Sequence, residues 1–342
     1  MPDTTEGTDP QSSAEEPGAR AQPDVRTGFI SGATFERRPV QYEAVAGRAM
    51  FEGDIFLGTV TEMERTAASQ SENDAVVFGV GISGSQFRWP QAVMPYEVDG
   101  SLPDPSRVTD AVEHWETETH LRFVQRTSTN ASQYPNYVRV IDDGGCWSMV
   151  GMRGGEQLLS LSSGCSVGSA IHEFGHAWGL WHEQSREDRD TFVRILWSNI
   201  EAGREHNFNQ HITDGDDIGP YDYGSIMHYG RRAFGVGNQV TIEKLRSGPS
   251  IGQRKGLSDG DIDAAHAMYT TRHSNVGVST VYATPHSKNA WANLAGVGWC
   301  KVNGVTTDGV SNTFATLAAA RANNRAVHAD TIGSRLLSVY GV

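Results

Sequence analysis

The stretch His172-Glu173-Phe174-Gly175-His176-Ala177-Trp178-Gly179-Leu180-Trp181-His182 holds three imidazoles and one carboxylate at the spacing of a catalytic zinc site. On a helix, residues four apart lie one above the other, so His172 and His176 can present their ring nitrogens to one ion. Glu173 then lies beside the ion. Continuing the helix would swing His182 to the wrong place, so the chain must turn sharply after His176. Gly179 permits that turn because it tolerates positive φ. Three neutral imidazoles leave one tetrahedral position for water, whose pKa falls toward neutrality, and Glu173 is placed to take its proton. The competing readings are a histidine-rich structural helix and a structural zinc site. Such a site is normally closed by a fourth protein ligand and favours cysteine, and no cysteine adjoins this motif.

The chain resembles the astacin-type metzincins, a family of secreted zinc endopeptidases. Beyond the zinc helix, the likeness rests on Glu183, Arg186, Asp188 and Arg189 after the third histidine, and on Ser225-Ile226-Met227-His228-Tyr229, which is similar to the family's Met-turn. The resemblance implies that Met227 packs beneath the metal and that Tyr229 is a fifth, switchable zinc ligand. A thioether suits an apolar floor, and a phenol near the ion can ligate it or donate a proton. It also implies that Glu183 salt-bridges the new N-terminus after activation. Far upstream, Phe51-Glu52-Gly53-Asp54-Ile55 resembles the propeptide element through which astacin precursors, here of the bacterial type, block themselves. Asp54 would occupy the water position on zinc, and Gly53 would let the backbone approach closely. Without the downstream motif, Gly-Asp would read as an ordinary surface turn.

Length and composition fit this arrangement. A chain of 342 residues with 38% hydrophobic content can bury a sizeable core. The net charge of −13 argues against a nucleic-acid partner and a basic membrane footprint. No apolar run reaches the roughly 18 residues of a membrane span. Secretion is expected from the resemblance, although residues 1–25 show no apolar core of a signal peptide. A monomer is expected.

Four pieces are expected: a flexible acidic arm over 1–27, a propeptide over 28–80, a catalytic domain over 81–272, and a small accessory domain over 276–342. The expected fold class is α+β, a metzincin catalytic domain with a twisted, mostly parallel N-terminal sheet, the zinc helix and an irregular C-terminal subdomain, joined to a small α+β accessory domain. The segment from Thr66 to Ser71 reads as an exposed cleavage region. Val108, Ala111, Val112 and Trp115 stand at helical spacing, and Tyr137–Ile141 and Val93–Val98 read as strands. By resemblance, Glu156–Leu161 takes the place of the cleft-lining strand that binds substrate as an added strand.

The resemblance pairs Cys146 with Cys165 and implies a second bridge that this chain lacks, with His120 and Thr271 near the expected positions. Cys300 is expected as a buried thiol of the tail. There, a helix from Thr313 to Asn324 would direct Phe314, Leu317 and Ala318 to a core, within a domain that could be barrel-like. Trp291, Trp299 and Tyr282 could stack on a sugar or peptide, or belong to that core. Arg231 and Arg232 could favour acidic side chains on the leaving side, or simply solvate the surface.

The reading that follows is a secreted zinc-dependent endopeptidase, one Zn2+ per chain, made as a latent precursor and acting on proteins or peptides. An inactive zinc-binding adhesion module would be favoured by loss of Glu173, which is present. A non-peptidase zinc hydrolase is disfavoured because the Met-turn and propeptide element occur together.

Overall fold

A computed structural model describes residues 22–31, 37–68, 76–77, 85–211, 217–285, 289–302 and 307–341. The expected N-terminal arm over 1–27 lies outside the described residues up to residue 21, and its end enters the strand Val25–Ser31. Of the cleavage region expected to be exposed over Thr66–Ser71, residues 69–71 lie outside the described residues, while Thr66 to Ala68 close the helix Val60–Ala68 with Thr66 buried, which corrects that expectation. The chain divides into two compact units, one running to Ala265 and the other from His266 to Val342; the short segments 90–93 and 119–122 belong to the second.

The first unit is organised by a ten-stranded sheet in the order β5-β1-β2-β3-β4-β9-β10-β8-β6-β7. Its upstream half comprises β1 (Val25–Ser31), β2 (Arg38–Val45), β3 (Arg48–Phe51), β4 (Ile55–Thr59) and β5 (Val76–Val77). Its downstream half comprises β6 (Val93–Val98), β7 (Arg122–Gln125), β8 (Tyr137–Ile141), β9 (Cys146–Ser148) and β10 (Glu156–Leu161). Both strands expected from alternation are present. β6, β8 and β10 run parallel, while β9 is antiparallel to β10. The halves join where Ile55 of β4 pairs with Ser148 of β9, in parallel.

That junction corrects one expectation. Glu156–Leu161 is an interior strand flanked by β9 and β8, and the strand that meets the upstream segment is Cys146–Ser148. Four of the six side chains of β10 are buried, as suits a strand covered on both faces.

The helix Ser106–Glu118 buries Val108, Ala111 and Trp115, one turn apart along a single face. Trp115 donates its indole N–H to Ile171 O of the helix Val167–Trp178, fastening the two helices. Ten of the twelve residues of the latter are buried, as expected of a helix apolar almost all round. Ser166 caps its N-terminus, with Ser169 completing a capping box. Gly179, at φ 110°, terminates it in the left-handed region, as the turn after the second histidine demands. Cys146 and Cys165 form the expected disulfide, tying β9 to the approach of this helix. A short ladder of β11 (Val193–Ile195) and β12 (Ile242–Lys244) supports the less regular remainder of the unit.

The second unit is a closed barrel of β13 (Thr271–Ala283), β14 (Ala290–Leu294), β15 (Gly298–Val302), β16 (Ala326–Ile332) and β17 (Arg335–Gly341), in the order β13-β14-β15-β17-β16. β13 pairs with both β14 and β16, β15 with β17 is parallel, and a helix, Thr307–Ala322, links β15 to β16. This connectivity is that of an OB-fold barrel. The helix begins earlier than residue 313, and Leu317 is fully buried with Phe314 packed beside it, as expected. Cys300 is a buried free thiol in the same core. His120 and His266 stack at 4.8 Å between ring centroids, and the His120 backbone N–H donates to His266 Nε2; Thr271 instead pairs with Thr331 in the barrel.

Candidate active site

The zinc helix brings His172 and His176 onto one face, and the turn at Gly179 returns His182 to meet them. All three rings are at most 1% exposed. Each Nδ1 has a hydrogen-bond acceptor pointing away from the cluster: Ile226 O for His172, Leu180 O for His176 and a carboxylate oxygen of Glu52 for His182, all at 2.8 Å. These partners set the tautomer, leaving the three Nε2 lone pairs facing one another.

The fourth group at the centre is Asp54, 3% exposed. Its carboxylate oxygens lie 3.2 Å from His172 Nε2, 3.2 Å from His182 Nε2 and 3.7 Å from His176 Nε2. One atom from each of these four residues falls within 4.8 Å of all the others. A tetrahedron of ligands at zinc's usual ~2.0–2.1 Å has edges of about 3.4 Å, close to these separations. His176 Nε2 and Asp54 Oδ1 have no hydrogen-bond partner, which is the mark of donors reserved for a cation. Imidazoles plus one carboxylate suit zinc in particular.

The electrostatics agree. Burial holds His172 and His176 below the usual imidazole range, so both are neutral and competent ligands. Burial opposes charge on Asp54 too, but His182 and the neighbouring imidazoles of His172 and His176 overcome it and keep the carboxyl well below its ordinary value. Burial would likewise lower His182, yet Asp54 and Glu52 raise it to about 9. The cluster therefore attracts positive charge.

Glu173 is 2% exposed, one residue along the helix from His172. Met227 is buried beneath the same turn: a Cβ on Gly175 would come 2.7 Å from its sulfur. The Tyr229 hydroxyl donates to the Glu52 carbonyl at 2.5 Å, and its ring stands 4.6 Å from that of His182. Glu183 is partly buried; its carboxylate accepts the Asp222 backbone N–H at 2.7 Å and lies 3.7 Å from Arg186. Burial pushes this carboxyl up to about 8, outweighing Arg186, so further positive charge is favoured there. The structure thus brings His172, His176, His182, Asp54 and Tyr229 together over Met227, with Glu173 buried on the same helix.

Three participants, Glu52 inside the upstream element, Ser185 and His211, are given no role by the motifs. The Glu52 side chain is fully buried and accepts from His182 Nδ1 at 2.8 Å, His211 Nε2 at 2.8 Å and Ser185 Oγ at 2.7 Å. Burial is more than offset by His211 and His182, so its carboxyl falls to about 2. Phe51 packs against Trp181 and His211, and Gly53 turns at φ 81° against Phe234, delivering Asp54 to the histidines. The Ser148 backbone N–H then donates to Asp54 O at 2.9 Å.

Residues 81–270 match the family model described as Astacin, a peptidase family. The chain is 35% identical over 230 residues to zinc metalloproteinase nas-13 of Caenorhabditis elegans, covering 64% of this chain and 50% of that protein. It is 37% identical over 236 residues to human meprin A subunit beta, covering 67% of this chain and 30% of that one. A solved structure, high choriolytic enzyme 1, a hatching enzyme zinc-protease from Oryzias latipes, is similar at 36% identity with a TM-score of 0.48, covering 54% of this chain and 92% of that. The chain spans about half the length, or less, of these two curated relatives. With a family model matched over more than half of its residues, and with three histidines and a buried glutamate arranged as described, this chain belongs to the astacin family.

Proposed function

We propose that this chain is a secreted zinc endopeptidase that cleaves proteins or peptides and is held latent by Asp54. The observation carrying this reading is the Asp54 carboxylate 3.2 Å from the Nε2 atoms of both His172 and His182. His172, His176 and His182 would hold the metal, which when bound would polarise the scissile carbonyl and acidify water. An aspartate oxygen among the three ring nitrogens takes the place where that water would stand.

Removal of the upstream segment takes away Asp54 and Glu52 together. Substrate backbone then aligns along β9, accepting the Ser148 N–H that Asp54 O now accepts. Glu173 accepts a proton as the water oxygen bonds to the carbonyl carbon, and returns it to the leaving amine as the C–N bond breaks. The Tyr229 hydroxyl, released from Glu52 O, donates to the oxyanion. Met227 supports the helix turn from below. Glu183 receives the new N-terminal ammonium, supported by its raised carboxyl. The proposed domains are a propeptide over 28–80, a catalytic domain over 81–272 and an accessory domain over 276–342, in a monomer.

The test is limited proteolysis between about residues 60 and 87, followed by N-terminal sequencing, zinc analysis and turnover of a fluorogenic peptide. Turnover should appear with the cut, in step with zinc content. A cut, zinc-loaded chain with no peptidase activity would overturn the proposal.

A further inference from the structure

The barrel carries a surface that peptide-bond hydrolysis does not use. Along β14 and β15, side chains alternate between its core and its outside. Ala290, Ala292, Leu294, Cys300 and Val302 point in and are at most 4% exposed. Trp291, Asn293, Trp299 and Lys301 therefore point out. Register extends this outer face across strands. Tyr282 of β13 pairs with Trp291, which pairs with Lys301, which pairs with Arg335 of β17; in the neighbouring row, Thr280 pairs with Asn293, which pairs with Trp299.

Three aromatic rings thus share one surface, with Tyr282 and Trp299 exposed and Trp291 partly buried. Tyr282 is 52% exposed and Trp299 48%. The Trp291 ring is oriented by its N–H donating to Asn289 Oδ1 at 2.9 Å, and Lys301 Nζ stands 5.9 Å from its centroid. Between and beside the rings are groups that donate and accept: the Asn293 side chain, the Ser279 hydroxyl bonded to it at 2.9 Å, and the Lys301 ammonium. An exposed indole and an exposed phenol gathered on one face and rimmed by polar groups have the composition of a recognition surface.

We propose that the outer face of β13, β14 and β15 binds an oligosaccharide. The rings would stack on the apolar faces of successive pyranose units, while Asn293 and Lys301 would bond their hydroxyls. In OB-fold barrels, the face built on the second and third strands, here β14 and β15, is the one that takes oligosaccharides or oligonucleotides. Charge chooses between these. A nucleic-acid strand requires cations tracking its phosphates. Here Lys301 and Arg335 sit at one end of the row; Arg272 is committed to Asp330 and Arg321 Nε to Ser279 O. Residues 266–342 carry six Lys/Arg and two Asp, so it is the placement of these cations, and not the charge of the whole chain, that disfavours a polyanion along the row. A largely apolar protein partner is disfavoured because Asn293 and Lys301 interrupt the aromatic surface.

The test applies the full chain to an array of immobilised oligosaccharides, then titrates the soluble form of the strongest binder against intrinsic tryptophan fluorescence. A defined glycan should bind, and Trp299→Ala and Tyr282→Ala should each weaken it at least tenfold, with Trp299→Phe recovering part of the loss. Unchanged melting curves will separate this from misfolding, and Trp197→Ala, which removes an indole 47% exposed in the first unit, should bind like the parent. Absence of any bound glycan would overturn the proposal, as would binding indifferent to Trp299 and Tyr282. So would a twenty-residue oligothymidylate that displaces the glycan or binds in its place.

Discussion

Glu52 offers a sharp perturbation because it holds the upstream segment to the site yet leaves with that segment on activation. Its carboxylate is fully buried and receives three bonds, from His182, His211 and Ser185. Its own backbone sits at φ 48°, a left-handed conformation that costs a non-glycine residue about 1–2 kcal/mol and persists only when its surroundings enforce it. Glu52→Ala removes the acceptor from all three donors and leaves the backbone cost in place. Breaking a buried charged contact on one side costs about 3–5 kcal/mol. At 1.4 kcal/mol per factor of ten, docking of the segment should weaken by roughly two to three and a half orders of magnitude. The assay is turnover of a fluorogenic peptide by the uncut variant and the uncut parent, with cleavage checked by mass spectrometry. The variant should leak activity well above the parent, and the cut forms of the two should be identical in kcat and KM. An uncut Glu52→Ala chain as silent as the parent would refute the reasoning.

The remaining predictions concern base, fold and pH. Glu173→Ala should bind zinc stoichiometrically, as measured by atomic absorption, and lose peptidase activity, because it deletes a base and no ligand; near-parental turnover would exclude that role. Chelators should abolish activity of the cut enzyme and added zinc should restore it, and acid should release zinc and activity together as the imidazoles take up protons. Replacing Cys146 and Cys165 by serine opens a bridge of sequence separation 19, worth about 3 kcal/mol by loop entropy, and should lower the melting temperature by roughly 6–12 °C; no change would contradict this. Burial first, then the stacked His266 with Arg122 and Arg335, hold the His120 imidazole down to about 4 from 6.5. The unfolded chain therefore takes up this proton first as pH falls, so the contribution is complete above pH 6.5 and is lost between 6.5 and about 4. His120→Phe should flatten the dependence of stability on pH in that window, as followed by denaturant titration.

The zinc centre was legible because its chemistry dictates spacing. Two histidines four apart need a helix, a third beyond a left-handed glycine needs a turn, and both are realised at Gly179. Asp54 was legible only because a neighbouring motif resembles a family element; its contact with His172 spans 118 residues. Glu52, Ser185 and His211 illustrate what spacing cannot carry. Their bonds span 130 to 159 residues, and a glutamate or serine in a short motif looks the same whether solvated or buried. Cys146–Ser148 escaped notice as the strand facing the upstream segment because three residues are too short for alternation to register. The longer Glu156–Leu161 took its place in the reading but lies inside the sheet. In the tail, helix periodicity was visible, but the order of five short strands depends on pairings that no local pattern encodes.

The central claim, that Asp54 silences a zinc peptidase, is tested most directly by one comparison: turnover of a fluorogenic peptide by the uncut parent and by uncut Asp54→Ala, both zinc-loaded. The account predicts a nearly inactive parent and a variant with measurable turnover, since the segment would still lie against β9 but no carboxylate would stand among His172, His176 and His182. Equal silence of the two uncut chains, with both becoming active on cutting, would contradict it.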